Sequence, residues 1–431
     1  MKPTTNIIPA EARADEPESV SFLTRLAKTL LLTQLNKVRD GRLRLIDEGV
    51  ERSFGAVTAR GPFEVTLHVR NPRLYPDALF AGTVGAGEAY MNGYWHCDNL
   101  VNLVRLFVIN DHMMNDVDSG WSRLAGVLFK AAHWLNRNDK LGSRRNIAAH
   151  YDLGNPFFEL FLDETMAYSC AIFATPQSTL AEGSRAKFDA ACSKLALTPD
   201  HHLLEIGTGW GGLAVHAAQH YGCRVTTTTI SREQHEAARE RIARAGLEDR
   251  ITLLLEDYRD LTGQYDALVS IEMVEAVGHQ YLDQYFRQCS ALLKPTGSML
   301  LQAITIGDQF YDQAVRSVDF IKKFIFPGSF IPSVESLVSS VARATDMKLF
   351  HLEDIGPHYA RTLRLWREAF LSRLTEVRGQ GYPDSFVRMW EYYLAYCEGG
   401  FEERRLGDVQ MLLTKPGARR APIATIHAAG A

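Results

Sequence analysis

The amino-acid sequence predicts an α/β protein: a doubly wound sheet with a helical insertion, preceded by a small α+β domain. Three observations predict it. Residues 202–206 (His-Leu-Leu-Glu-Ile) read as a buried strand that runs into Gly207-Thr208-Gly209-Trp210-Gly211-Gly212 and then into helical spacing of Leu213, Val215 and Ala218. Strand, glycine turn and helix in succession open a doubly wound sheet. Strands and helices alternate afterwards, with strands at 224–230, 251–255 and 267–271 and a helix over 232–244, the pattern of a parallel sheet. Finally, 431 residues exceed the ~100–200 that one domain commonly uses, which leaves room for a separate unit before residue 143.

In chain order, residues 1–20 are polar, contain proline and lack any period, and read as a disordered tail. Residues 21–120 form the α+β domain. Phe22, Leu23, Leu26, Leu30 and Val38 approach helical spacing, whereas Leu43/Leu45, Phe63/Val65/Leu67/Val69 and Phe80/Gly82/Val84 alternate as short strands. The glycine-rich stretch 84–95 lacks a phosphate-loop lysine and is not read as a nucleotide loop. Residues 121–142 form a basic amphipathic linker helix with Trp121, Leu124, Leu128, Ala131, Ala132 and Leu135 on its apolar face. Residues 143–415 form the doubly wound domain. Within it the aromatic-rich segment 303–400 reads as a helical lid over the crevice at the strand ends, and residues 416–431 read as a flexible tail.

Composition narrows the function class. No apolar run approaches the ~18–20 residues of a bilayer-spanning helix, and the N-terminus has no apolar signal-peptide core, so the cytoplasm is the expected location. The 47 basic against 51 acidic residues give a net charge of −4, so no global positive field recruits nucleic acid. Charge is nonetheless concentrated. Arg25, Lys28, Lys37, Arg39, Arg42 and Arg44 face only Asp40, and a second cluster of six between 121 and 145 faces only Asp139. Such segments suit an anionic lipid surface, which places the protein peripherally on the inner face of the cytoplasmic membrane. Six scattered cysteines without a C-x-x-C pair read as free thiols, and His216 and His220 as a surface pair rather than a metal site.

The glycine turn spells G-x-G-x-G and follows Glu205. An acidic residue there suits an ammonium group better than a pyrophosphate, so an amino-acid-bearing nucleoside fits. Thr229 and Gln234 can meet ribose hydroxyls, and Asp257 or Glu256 can accept from an adenine amino group. These positions imply S-adenosylmethionine as the cofactor, with Gly207, Gly209, Trp210, Gly211, Tyr168, Ser169 and Ile271 completing its site.

Six separated strings (His150 to Asn155, Tyr168-Ser169-Cys170-Ala171, Ile206 to Gly212, Thr229-Ile230-Ser231, Asp257 to Leu261, Phe326-Pro327-Gly328) occur in the order in which the cyclopropane-fatty-acyl-phospholipid synthase family carries them. The chain resembles that family over residues 20–415. The resemblance implies a Rossmann-like S-adenosylmethionine-dependent methyltransferase domain behind a lipid-binding domain. It also implies transfer of a one-carbon unit to the cis double bond of an unsaturated phospholipid acyl chain, and leaves a homodimer open. In the family a bicarbonate ion held by cysteine, glutamate, histidine and tyrosine removes the proton. Cys170, Glu275 and Tyr359 match three of these. Two positions depart: Gln302 stands at the histidine, and Glu272 stands at a glycine beside the bicarbonate pocket. If the 272–275 turn is helical, the two glutamates share a face and oppose a third anion. Glu272 is therefore expected to occupy the base position itself, which opens a methylene- or methyl-branched product beside the cyclopropane. A non-catalytic lipid-binding protein is the competing class.

Overall fold

The computed structural model describes residues 21–111 and 153–423. The expected tail at 1–20, the linker helix at 121–142 and His150 to Asp152 lie outside the described residues.

Helix α1 (Phe22–Leu35) starts where the Ser21 hydroxyl accepts from the Thr24 N–H, a side-chain cap for an orphan helix donor. Strand β1 (Gly41–Asp47) alternates buried and half-buried positions, with Leu43 and Leu45 inward, the two-residue period of a sheet with one covered face. It turns through Glu48 and Gly49, both at positive φ, into antiparallel β2 (Val50–Ala56) and pairs parallel with β3 (Glu64–Val69). Strand β4 (Trp95–Cys97) completes a four-stranded sheet in the order β2-β1-β3-β4.

The expected strand at Phe80, Gly82 and Val84 is instead part of helix α2 (Leu74–Met91), kinked at Gly82 (φ 56°, ψ −136°). The misreading has a physical cause. Helix α2 buries residues on several sides, and a short apolar run carries no period that separates a strand from a buried helix. Both α2 and α3 (Leu100–Ile109) pack on the long C-terminal helix Asp384–Glu402. Gly399 permits this approach, because a Cβ there would meet Val104 at 2.8 Å.

The larger sheet has seven strands. Strands β5 (His202–Ile206), β6 (Arg224–Thr228), β7 (Ile251–Leu254) and β8 (Tyr265–Ile271) are parallel, as is β9 (Leu293–Ile306) beside β8. The edge beyond β9 is antiparallel: β11 (Leu406–Thr414) pairs with β9, and β10 (Lys348–Asp354) with β11. The order is β10-β11-β9-β8-β5-β6-β7.

The segment 303–400, expected as a helical lid, is mostly helical but also carries the end of β9 and the whole of β10. Its register shifts between Leu349 and His351, and a bulge breaks the alternation that marks a strand. His216, expected at the surface, is buried, with Nε2 2.8 Å from Asp189 Oδ1. One apolar core runs through both parts of the chain and joins Leu43, Val65 and Trp95 to Phe157, Trp366 and Trp390. Phe157 and Trp390 meet edge-to-face at 4.8 Å, a favoured aromatic geometry.

Candidate active site

A cavity of about 1590 Å³ begins against the small sheet at Leu43, Leu45 and Leu67 and ends at the carboxyl ends of β5, β6 and β8. Most residues of both groups named from the sequence line its far end, whereas Gly211, Cys170 and Gln302 stand behind that lining.

At one side lies the glycine turn. Gly207, Gly209 and Gly211 have φ of 103°, 52° and 83°, values open to glycine at little cost. A Cβ on Gly209 would meet no protein atom within 4 Å, so the backbone there faces open cavity. Glu205 is buried at the end of β5 and accepts from Thr227 Oγ1 at 2.6 Å. Burial pushes its carboxyl up to about 8, against the opposing pull of the Thr227 hydrogen bond and Lys187. Thr229 Oγ1 donates to Gln234 Oε1 at 3.0 Å, and both line the cavity. Asp257 is held by Arg259 through Oδ1 at 2.8 Å and Oδ2 at 2.6 Å, and Glu256 and Ile271 line the same wall. Trp210 Nε1 donates to Asn155 Oδ1 at 2.7 Å, and the Tyr168 and Tyr393 hydroxyls are 2.8 Å apart. Ser169 Oγ accepts from Lys187 Nζ at 2.5 Å. A close-approach backbone, a buried carboxyl and a paired Thr–Gln at successive strand ends fit an amino-acid-bearing nucleoside.

Beside it the two departures from the family pattern touch each other. Glu272 Oε1 accepts from Gln302 Nε2 at 2.7 Å and from the Cys170 main-chain N–H at 2.8 Å. Glu272 Oε2 accepts from the Tyr359 hydroxyl at 2.6 Å. Thus Cys170, Gln302 and Tyr359 converge on the Glu272 carboxylate. The Cys170 thiol lies 3.3 Å from the Ala171 carbonyl and 3.7 Å from that of Ile355. Burial pushes this thiol well above its ordinary range, with Asp408 and Glu272 adding to the shift. Glu272 has φ +47°, where a non-glycine residue bears about 1–2 kcal/mol of strain.

The 272–275 segment is not a regular helical turn. A 3₁₀ turn starts only at Val274, so Glu275 diverges, and its Oε1 accepts from the Ile304 N–H at 2.6 Å. Burial first, and the Glu272 charge second, push Glu275 up to about 8.

Sequence reasoning missed four residues. Lys187 is buried between the two halves of the site, and its ammonium favours the ionised forms of Glu205 and Cys170. Asp408 and Gln410 reach Gln302 from β11, and Lys194 reaches Gln410 from the helix Leu180–Leu195. Lys187 and Lys194 carried the signal of lysines on the apolar side of an amphipathic helix. Asp408 and Gln410 carried none without the β9–β11 pairing.

The family model described as mycolic acid cyclopropane synthetase matches residues 138–411. Tuberculostearic acid methyltransferase UfaA1 of Mycobacterium tuberculosis is 38% identical over 81% of this chain and 84% of its own length. Cyclopropane-fatty-acyl-phospholipid synthase of Escherichia coli is 36% identical over 86% of this chain and 92% of its own. Among solved structures, mycolic acid cyclopropane synthase CmaA1 complexed with SAH and CTAB superposes with a TM-score of 0.59 at 30% identity, covering 63% of this chain and 98% of that one. The chain belongs to this family of S-adenosylmethionine-dependent transferases.

Glu205 sets a pH test. Its folded value of about 8 lies above the ordinary 4.5, so the folded protein retains a proton that the unfolded chain releases. That contribution to stability is complete below about 4.5 and is lost as pH rises through about 8. Glu205→Gln carries no titrating proton. Denaturant melts of the cofactor-free protein should show the variant gaining on the parent from about pH 5 to about pH 8. A constant difference would mean that Glu205 is ionised in the folded protein throughout.

Proposed function

We propose that this member of the family transfers a one-carbon unit from S-adenosylmethionine to the cis double bond of an unsaturated acyl chain in membrane phospholipid, and that the Glu272 carboxylate is the base. The observation that carries it is the convergence of Cys170 N–H, Gln302 and Tyr359 on Glu272. By resemblance these positions surround a bicarbonate ion, and here a side chain of the protein fills their donors.

S-adenosylmethionine, when bound, supplies an electrophilic methyl group. An alkene is a weak nucleophile, so the chain's residues must align it and exclude water. Glu205, Gly209 and the Thr229–Gln234 pair would hold the methionyl and ribose parts, with Glu256 or Asp257 at the adenine. The apolar cavity would bring the acyl chain from the small sheet to Glu272. Methyl addition leaves a cation on the neighbouring carbon. The aromatic faces of Tyr393 and Phe401, which line this end, favour such a charge. Glu272 then accepts a proton from the added carbon, and the released C–H electron pair closes a cyclopropane ring. A second reading, a methylene- or methyl-branched chain, is favoured by the relative named tuberculostearic acid methyltransferase; a saturated branch would also require a hydride donor.

Acyl chains from cells expressing the protein should gain one CH₂ by mass spectrometry. NMR distinguishes a ring methylene from a vinylidene group, which share that mass. Glu272→Gln preserves shape but removes the basic oxygen, and should lower kcat by ~10²–10⁴-fold with S-adenosylmethionine affinity retained. Near-parental turnover would remove Glu272 from the reaction.

No helix among the described residues is long and apolar enough to cross a membrane. Helix α1 exposes Phe22, Leu23, Leu26 and Leu30 beside Arg25, while Leu31 and Leu35 line the cavity. This supports α1 as the contact with anionic lipid on the inner face of the cytoplasmic membrane. Binding to anionic vesicles should fall as salt rises from ~0.05 to ~0.5 M, because exposed charges are screened over a shorter distance. Salt-independent binding would point to apolar insertion alone.

A further inference from the structure

Gln302 acts at the centre as a double donor. Its Nε2 lies 2.7 Å from Glu272 Oε1 and 3.0 Å from Asp408 Oδ2, so one amide nitrogen serves two carboxyl groups. Turned over, the same amide would set its oxygen against both acceptors. Nothing in Gln302 itself prevents that rotation. The constraint lies on its far side, where Gln302 Oε1 accepts from Gln410 Nε2 at 2.9 Å. Gln410 Oε1 in turn accepts from Lys194 Nζ, and Lys194 pairs with Glu353.

An ammonium group has donors only. Gln410 must therefore present its oxygen to Lys194 and its nitrogen to Gln302, and Gln302 must present its oxygen to Gln410 and its nitrogen to the carboxyls. The direction of every bond follows from the single cation at the end. The framework is rigid: Gln302 and Gln410 are register partners across β9 and β11, and Asp408 lies two residues before Gln410, on the same face of its strand. Gln302, Gln410 and Asp408 are fully buried. Burial first, and the Glu272 charge second, push the Asp408 carboxyl well above its ordinary range, and Lys187, Glu275, Cys170 and Tyr359 also face Glu272; Gln302 is the neutral amide between the two carboxyls.

We propose that Lys194 and Gln410 are positioning residues for the reaction: a one-directional hydrogen-bond relay from Lys194 through Gln410 locks the Gln302 amide as a donor and so holds the Glu272 carboxylate in place beside Asp408. The inference rests on the reading of Glu272 as the base. Neither residue touches the cavity, so both act through Gln302.

The test is the pH profile of kcat on unsaturated phospholipid vesicles, for the full chain. Gln410→Glu still accepts from Lys194 but, ionised, has no donor for Gln302. The Gln302 amide should then turn its nitrogen to residue 410 and its oxygen to Glu272. The acid limb of kcat should move up by about one pH unit or more, with KM for S-adenosylmethionine within about threefold of the parent, because a carboxylate that loses a donor and faces an oxygen holds its proton more tightly. Lys194→Met releases the relay at its rim and should shift the limb in the same direction, whereas Lys194→Arg, also donor-only, should restore it. Lys194 sits at the edge of the core, so these two variants keep the test decisive if Gln410→Glu does not fold. If folded relay variants lose stability or kcat while the acid limb stays in place, the network is merely structural and the proposal is overturned. Glu272→Gln, measured in parallel, separates the two failures. A nearly silent Glu272→Gln removes the base reading and the relay with it; an inactive Glu272→Gln beside an unmoved limb removes the relay alone.

Discussion

A carboxylate half-buried against an apolar cavity is costly unless hydrogen-bond donors surround it, and the placement of Glu272 is organised around that requirement. Its two oxygens receive one main-chain and two side-chain donors. Each donor comes from a different element: Cys170 from the loop before the helix Leu180–Leu195, Gln302 from β9, and Tyr359 from the helix Gly356–Ser372. The backbone is fixed as well, because the Glu272 N–H donates to the Gln302 carbonyl at 2.8 Å. A residue with a Cβ at φ +47° is held in an unfavourable conformation by these contacts. Strain retained at a point of convergence belongs with function more often than with folding.

On the proposed role of Glu272, a glutamine suffices where, by resemblance, the family carries a histidine. A mobile bicarbonate ion must be captured by charge and hydrogen bonds together. A tethered carboxylate is delivered by the chain, so a neutral donor of fixed direction is enough, provided that its direction is fixed. The cavity brings the lipid side of the problem to the same point. It runs from the small sheet to Tyr359 and Phe401, and a shared apolar core joins the two parts of the chain.

Much of this was legible in the sequence, and the reasons are local. The strand, glycine turn and helix at 202–221 are specified by neighbouring residues, and so is the alternation in β1. Phe80 to Val84 misled because burial on several sides erases period. Strand β10 was hidden by its bulge, and β9 and β11 by the fact that their pairing joins residues about a hundred positions apart. The site divided in the same way. Glu272 and Gln302 each stood out as a departure, but their contact depends on the β8–β9 register, in which Ile271 lies opposite Gln302. Asp408 and Gln410 offered no local signal at all, and Lys194 only that of a lysine on the apolar side of its helix, because their significance lies in a hydrogen-bond direction set across three elements.

If Glu272 replaces a bound anion as the base, as proposed, the reaction needs no bicarbonate. The most direct measurement is turnover on unsaturated phospholipid vesicles in carbonate-free buffer, with and without added bicarbonate, for the parent and for Glu272→Gly combined with Gln302→His. The parent should be indifferent to bicarbonate, and the double variant inactive without it and active with it. Loss of most parental activity on removal of carbonate, restored by adding bicarbonate, would contradict that role of Glu272.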